Sequence, residues 1–264
     1  MKVGVIGVGH VGRNVSQRLV AKGVDVVEFD TASGALYPTD ELSQCDFATI
    51  CVDTPRRDNG QVCLFNVVDA IQSLPTDKIL LRSTVPPGTT DTLARKTGKA
   101  ICFSPEYVGE SPFAQDGWKQ WAHDQLFQII GGSPEHTRWF AAHLTEIHGA
   151  ETRIFQCTAI EAEVAKYMEN SYFAMKVTFV NQFYDLCEAL GADWFTVREA
   201  WLLDPRVDRD HTAVFPQSRG FDGRCLPKDL DAIVETAKRV DVRMSVLQAV
   251  QEANARYLAD WPPK

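Results

Sequence analysis

Met1-Lys2-Val3-Gly4-Val5-Ile6-Gly7-Val8-Gly9-His10-Val11-Gly12 opens the chain, and its reading decides the fold. A short apolar run, Val3–Ile6, leads into Gly7-x-Gly9-x-x-Gly12 and then into a segment of helical periodicity. The first glycine permits a tight turn, the second lets backbone approach a pyrophosphate, and the third allows close helix–strand packing. The N-terminus of the helix then faces the phosphates, where its partial positive charge favours an anion. Asp30 ends the next apolar run, 23 residues beyond Gly7. A carboxylate there accepts hydrogen bonds from the adenine ribose and repels a 2′-phosphate, so NAD is expected rather than NADP.

Working outward, further apolar runs recur at Val24–Phe29, Phe47–Val52, Ile79–Ser83, Ala100–Phe103 and Phe127–Ile130, with helical patterns between several of them. Short strands alternating with helices predict a parallel, doubly wound α/β sheet over residues 1–155. The texture then changes. Residues 158–190 contain neither Gly nor Pro, and Ile160, Val164, Met168, Met175, Phe179, Phe183, Leu186 and Leu190 recur near helical spacing, with Gly191 placed to end the helix. Further helical segments are expected at about 194–203 and 227–260. Residues 156–264 therefore read as an all-α second domain.

The chain has 264 residues, enough for two cores, and 45% hydrophobic with 23% charged residues is the balance of a soluble globular protein. A net charge of −8 argues against a general nucleic-acid binder. No apolar run approaches the ~18 residues of a membrane span, and the start lacks the layout of a signal peptide. The seven cysteines are scattered and form no Cys-x-x-Cys pair, which predicts a reducing, cytoplasmic setting and no metal site.

One cysteine stands apart. Gly220-Phe221-Asp222-Gly223-Arg224-Cys225-Leu226-Pro227-Lys228-Asp229 places Cys225 in a glycine-containing loop just before a helix. The helix terminus and Lys228 both favour a thiolate, which can form a covalent adduct with a bound substrate, but a buried cysteine at a loop–helix junction is an equally open reading of these residues alone. Lys166 and Asn170, four residues apart, share one helix face.

Gly-Phe-x-Gly-x-Cys-x-Pro-Lys-Asp resembles the cysteine motif of the UDP-glucose/GDP-mannose dehydrogenase family. Five further segments resemble that family in the same order. They are Cys51-Val52-Asp53-Thr54-Pro55, Ser83-Thr84-Val85-Pro86-Pro87-Gly88-Thr89, Ser104-Pro105-Glu106-Tyr107-Val108-Gly109-Glu110, the helix running from Ala162-Glu163-Val164-Ala165-Lys166 through Asn170, Asn181 and Gly191-Ala192-Asp193, and the turn Asp204-Pro205-Arg206.

The resemblance implies a Rossmann-type NAD-binding domain followed by a helical central, dimerising domain. It also implies oxidation of a nucleotide-sugar primary alcohol, such as that of UDP-glucose, to the carboxylate through two hydride transfers. Cys225 would capture the aldehyde, and the thiohemiacetal would be oxidised to a thioester and hydrolysed. On this resemblance Lys166 and Asn170 serve the oxyanion, and Asp229 holds a water or pairs with Lys166. Thr84, Glu106 and Glu110 come from loops at the carboxyl edge of the sheet. Gly7, Gly9, Val11, Gly12, Asp30, Thr54, Thr84, Glu110 and Lys228 would contact NAD. Glu106, Tyr107, Lys166, Asn170, Gly220, Phe221 and Gly223 would contact the sugar nucleotide, and Arg206 would reach the substrate of a neighbouring copy in a homodimer.

Three features depart from the family pattern. Asp222 stands where Gly is usual and Arg224 where Ser is usual, and Thr31–Tyr37 lacks a basic residue that often steadies the adenine ribose. Family members continue into a third domain that helps bind the nucleotide. This sequence ends at Trp261-Pro262-Pro263-Lys264, which leaves a naturally short enzyme, a shortened chain and one completed by a partner as alternatives. Two other functions also stay open. A β-hydroxyacid-type dehydrogenase would make one hydride transfer using Lys166 and Asn170, and an inactive relative would bind NAD alone.

Overall fold

The structure is a computed structural model that describes residues 1–107 and 127–259. Two compact units emerge: Met1–Arg57 with Val62–Lys166, and Asp58–Gln61 with Tyr167–Lys264.

Unit 1 is built on strands β1 (Lys2–Ile6), β2 (Asp25–Phe29), β3 (Phe47–Ile50), β4 (Lys78–Leu81), β5 (Ala100–Phe103), β6 (Phe127–Gly131) and β7 (Arg153–Cys157). They lie in the order β2-β1-β3-β4-β5-β6-β7. Neighbours pair parallel except β5 and β6, which meet antiparallel at Phe103 and Gly131, so the sheet is mixed rather than purely parallel. The α/β doubly wound expectation otherwise holds. Helices α1 (His10–Ala21), α2 (Thr39–Leu42), α3 (Phe65–Ser73), α4 (Thr89–Thr97) and α5 (Pro134–His148) belong to this unit.

The central strands β1, β3, β4 and β5 are buried on both faces, and their period-2 alternation divides their side chains between two cores. Ile6, Ala48, Ile50, Ile79, Leu81, Ile101 and Phe103 enter one cluster with Val67 and Ile71 of α3. Val3, Val5, Phe47, Leu80 and Cys102 enter the other with Val15 and Leu19 of α1 and Phe140 and Leu144 of α5. The edge strand β7 was not expected. Its pattern is mostly exposed, with Phe155 at 66%, so it carries neither the apolar run nor the clean alternation of a core strand.

The long helix α6 (Ala159–Leu190) begins within unit 1. A Cβ at Gly131 would stand 2.5 Å from Ala162 Cβ and 3.0 Å from Ala159 Cα, so the first turns of α6 lie directly on the end of β6. That packing is why the division falls at Lys166 and Tyr167 rather than near residue 155.

Unit 2 continues α6 and adds α7 (Trp194–Trp201), α8 (Leu226–Arg239) and α9 (Ser245–Ala259). The helical segment expected over 227–260 is two helices. They are broken near Asp241, whose φ of 57° is left-handed. Ala174, Phe221, Leu230 and Val250 form one core, and Val180, Cys187, Trp194 and Val214 another. The apolar stripe that marked α6 in the sequence is mostly outside: Ile160, Val164, Met168, Phe179, Phe183, Leu186 and Leu190 are all exposed. The buried positions carry Glu163, Lys166, Asn170, Lys176, Thr178 and Asn181 among the small and apolar residues. Among the described residues, no helix is long and apolar enough to cross a membrane.

Candidate functional site

The strand order turns back at β1, with β2 on one side and β3 on the other. Such a switch point opens a crevice at the carboxyl ends of the strands. Gly7 has φ of 87°, and a Cβ on it would stand 2.9 Å from the Cys51 carbonyl group. A Cβ on Gly12 would overlap Gly7 O at 1.8 Å. Both are glycines for the protein's own packing. Gly9 differs: a Cβ there meets nothing within 4 Å, and at the N-cap of α1 Gly9 makes no side-chain capping bond. The protein itself leaves room beside this backbone, as a dinucleotide cradle requires. Val11 packs half-buried against the core beneath.

Asp30 sits at the end of β2 as expected, but its carboxylate already has work. Oδ2 accepts from Val8 N at 2.7 Å and Oδ1 from Ala32 N at 2.8 Å, so it braces the glycine loop. The loops after β3 and β4 are tied together. Thr54 Oγ1 donates to Thr84 O at 3.0 Å, and Ser83 Oγ donates to Val52 O at 2.7 Å. Glu163, fully buried on α6, accepts from Gly88 N at 2.5 Å, Thr90 N at 2.8 Å and Thr90 Oγ1 at 2.6 Å, capping α4 from outside. Burial raises its pKa despite those bonds. Together these residues could hold NAD along the carboxyl edge of β1, β3 and β4.

Glu106 follows β5 and is buried in an ion-pair cluster. Its Oε2 lies 2.8 Å from Arg18 Nη2 and 3.1 Å from Arg82 Nη1, and Arg82 also donates to Gln128 at 3.3 Å. Burial pushes the Glu106 carboxyl up. The Arg82 and Arg18 charges, with hydrogen bonds from Arg18 and the Tyr107 amide, outweigh it and hold the carboxyl below its ordinary range. Arg18, Arg82 and Thr49 line a small cavity with His148, whose pKa is lowered to about 4 by burial and by the Arg82 and Arg18 charges. The Tyr107 ring meets Phe127 at a tilt of 52°, and the Lys166 ammonium lies 4.5 Å above the Tyr107 ring. Glu110 lies outside the described residues.

Unit 2 holds the remaining candidates. Cys225 is exposed and is the N-cap of α8, its carbonyl accepting from Asp229 N at 2.9 Å. Asp229 is 1% exposed, and its two oxygens accept from Asn170 Nδ2 at 2.5 Å and Lys228 Nζ at 2.5 Å. Lys228, expected on the cofactor, is thus committed in part to a carboxylate beside the cysteine. Gly223 is exposed in the loop, with open space around it. Phe221, expected at the substrate, places its ring in a core of this unit. Its ring is buried, and its backbone N and O both bond the side chain of Asn254 at 2.8 Å. Arg206 extends into solvent and bonds back to Asp204, with Nη2 2.6 Å from Oδ2.

Arg18, Arg82, Glu163 and Asn254 were not singled out in the sequence. The available signal was a polar residue on an apolar helix face: Arg18 with Val15 and Leu19, and Asn254 with Val250, Ala253 and Tyr257.

Residues 160–256 match the model of the UDP-glucose/GDP-mannose dehydrogenase family, central domain. The chain is 30% identical to the UDP-glucose 6-dehydrogenase of Rhizobium meliloti (strain 1021), over 88% of this chain and 56% of that protein. It is 28% identical to the UDP-glucose 6-dehydrogenase YwqF of Bacillus subtilis (strain 168), over 81% of this chain and 49% of that one. The chain therefore spans about half the length of these curated relatives. A solved UDP-glucose dehydrogenase from the hyperthermophilic archaeon Pyrobaculum islandicum superposes with a TM-score of 0.81 over 97% of this chain and 68% of that chain, at 24% identity. The family resemblance read from the motifs is borne out, and so is the fold.

Proposed function

We propose that this relative of the UDP-glucose and GDP-mannose dehydrogenases oxidises the primary alcohol of a nucleotide sugar to the carboxylate, with NAD as acceptor and Cys225 as covalent nucleophile. One observation carries the reading. Cys225 is exposed at the N-terminus of α8, one turn from a buried Asp229 that Asn170 and Lys228 hold.

NAD, when bound, supplies the hydride acceptor for both oxidations. The carboxyl edge of unit 1 would hold it, with Gly9 and the α1 N-terminus on the pyrophosphate, Asp30 on the adenine ribose, and Thr54 and Thr84 lining the loops. Cys225 adds as thiolate to the aldehyde carbon, and the carbonyl oxygen takes a proton to give a thiohemiacetal. Loss of a hydride from that carbon and of the hydroxyl proton leaves a thioester. Water then adds, the carbon–sulfur bond breaks, and the thiolate and the product carboxylate are released with two protons. Lys166 and the second N–H of the Asn170 amide stabilise the oxyanion at each tetrahedral stage. Asp229 holds its neighbours Lys228 and Asn170 in place and positions the hydrolytic water. Tyr107, Gly220 and Gly223 shape the sugar site.

The same reading makes the chain a cytoplasmic homodimer. None of its cysteines is in a disulfide, and the apolar stripe of α6 is exposed along most of the helix. Arg206 then reaches the substrate of the second copy.

Following NADH with UDP-glucose and a panel of other nucleotide sugars tests the reaction. Two NADH per uronate are expected, and Cys225→Ser should lower kcat by about 10³-fold or more. A one-step dehydrogenase would form one NADH and keep its turnover in Cys225→Ser. A flat trace across the panel with NAD binding intact would leave a binding module.

A further inference from the structure

We propose that Asn254 is a positioning residue for the nucleophile: it fixes the point at which the Cys225 loop leaves the core. The inference rests on Cys225 as the reactive thiol and assigns a function to a residue on a different helix.

Asn254 lies on the buried face of α9 with Val250, Ala253 and Tyr257, where an amide is retained only if its polar atoms are satisfied. It spends both on one residue. Oδ1 accepts from Phe221 N at 2.8 Å and Nδ2 donates to Phe221 O at 2.8 Å, the two-bond exchange that a neighbouring β-strand would make. The approach is close. A Cβ on Gly220, whose φ is 74°, would stand 2.5 Å from Asn254 Oδ1 and 3.2 Å from Tyr257 Cβ.

The preceding residue is anchored as well. Arg219 lies 4.5 Å from the Tyr184 ring and 4.9 Å from the Tyr257 ring. It donates to Asn181 Oδ1 at 2.5 Å, Asn181 O at 2.9 Å and Asp185 at 2.6 Å. Residues 219–221 are thereby bound to α6 and α9, whereas Asp222, Gly223, Arg224 and Cys225 are exposed. On the far side Asp229 is bonded to Asn170. The thiol thus hangs between two amide anchors, Asn254 before it and Asn170 after it. Release of the first leaves a loop with a glycine at its centre free to drift, and displacements of about 1 Å at a reacting group can cost about 100-fold in rate.

The test uses the full chain with Asn254→Leu, which removes both bonds at similar volume, and Asn254→Asp, which keeps an acceptor for Phe221 N but opposes Phe221 O. Gly220→Ala displaces Asn254 from outside and serves if Asn254→Leu does not fold. Three readouts are taken on folded protein: amide exchange at Phe221, site-mapped iodoacetamide alkylation of Cys225 against pH, and kcat with KM for NAD. Faster Phe221 exchange, an alkylation profile moved to higher pH, and a kcat about tenfold lower at unchanged KM for NAD are expected, with Asn254→Asp between wild type and Asn254→Leu. Faster Phe221 exchange with the alkylation profile and kcat of wild type would overturn the proposal. The alkylation arm does not depend on turnover. Activity surviving in Cys225→Ser therefore defeats the nucleophile itself, separately from the role of Asn254.

Discussion

Replacement of Glu163 tests how the loop after β4 is held. Its carboxylate accepts from Gly88 N, Thr90 N and Thr90 Oγ1, and both Glu163 and Thr90 are 0% exposed. Glu163→Ala strands two buried donors on Thr90 and a partly buried one on Gly88, each buried donor costing about 1–3 kcal/mol if unsatisfied. Two effects reduce the sum. Water can enter the space vacated by the side chain, and the desolvation that raises the Glu163 pKa disappears with the carboxylate. A net loss of about 3 kcal/mol follows, near the lower end for breaking a buried charged contact. For a protein of this size that is roughly 6–12 °C in Tm. Glu163→Gln keeps an oxygen for Thr90 but turns an N–H toward Gly88 N, at about 1–2 kcal/mol, and Thr90→Val loses one bond at about 1 kcal/mol. Because the folded pKa is raised, the stabilisation from this group is complete below its unfolded value. It declines as pH rises through the folded value, and Glu163→Gln should abolish that slope. Urea unfolding and calorimetric NAD titration measure both consequences, with NAD affinity falling alongside stability as Ser83–Thr89 loosens. Glu163→Ala within about 1 kcal/mol of wild type, or a Gln variant less stable than the Ala variant, would refute the account.

Gly9→Ala should fold with wild-type stability, because a Cβ there meets no protein atom, yet bind NAD at least about tenfold more weakly by calorimetry. Unchanged NAD affinity would remove Gly9 from the cradle. His148, with a folded pKa of about 4 against an ordinary 6.5, stays neutral while the unfolded chain takes up a proton, so stability falls as pH drops through that interval. The contribution is on the order of 2 kcal/mol between pH 7 and pH 4.5, and His148→Leu should show a correspondingly flatter pH dependence in urea unfolding.

Legibility in the sequence followed the range of the interactions. β1, the glycine turn and α1 were readable because strand period, turn glycine and helix start all lie within about 20 residues. The start of α8 at Cys225 was readable for the same reason. β7 was not, since an edge strand with Phe155 exposed lacks the alternation that burial imposes. The stripe on α6 shows the reverse: its periodicity marked a helix correctly but did not tell which face the chain itself would bury.

Site residues divide along the same line. Local chemistry in the chain singled out Gly7, Gly9, Gly12 and Asp30 by type and spacing, because a turn or a strand end sets what each can do, whereas Cys225 and Asp229 drew their expected roles from the family resemblance. Pairing came only with tertiary structure. Glu106 lies 88 residues from Arg18, Glu163 73 residues from Thr90, Asn170 59 residues from Asp229 and Phe221 33 residues from Asn254. A buried polar group must find its partner wherever the fold brings one, and nothing in local spacing records that choice. Sequence alone therefore determined the α/β sheet followed by helices and the candidate groups, while packing within each unit decided which of those groups are braced or ionised.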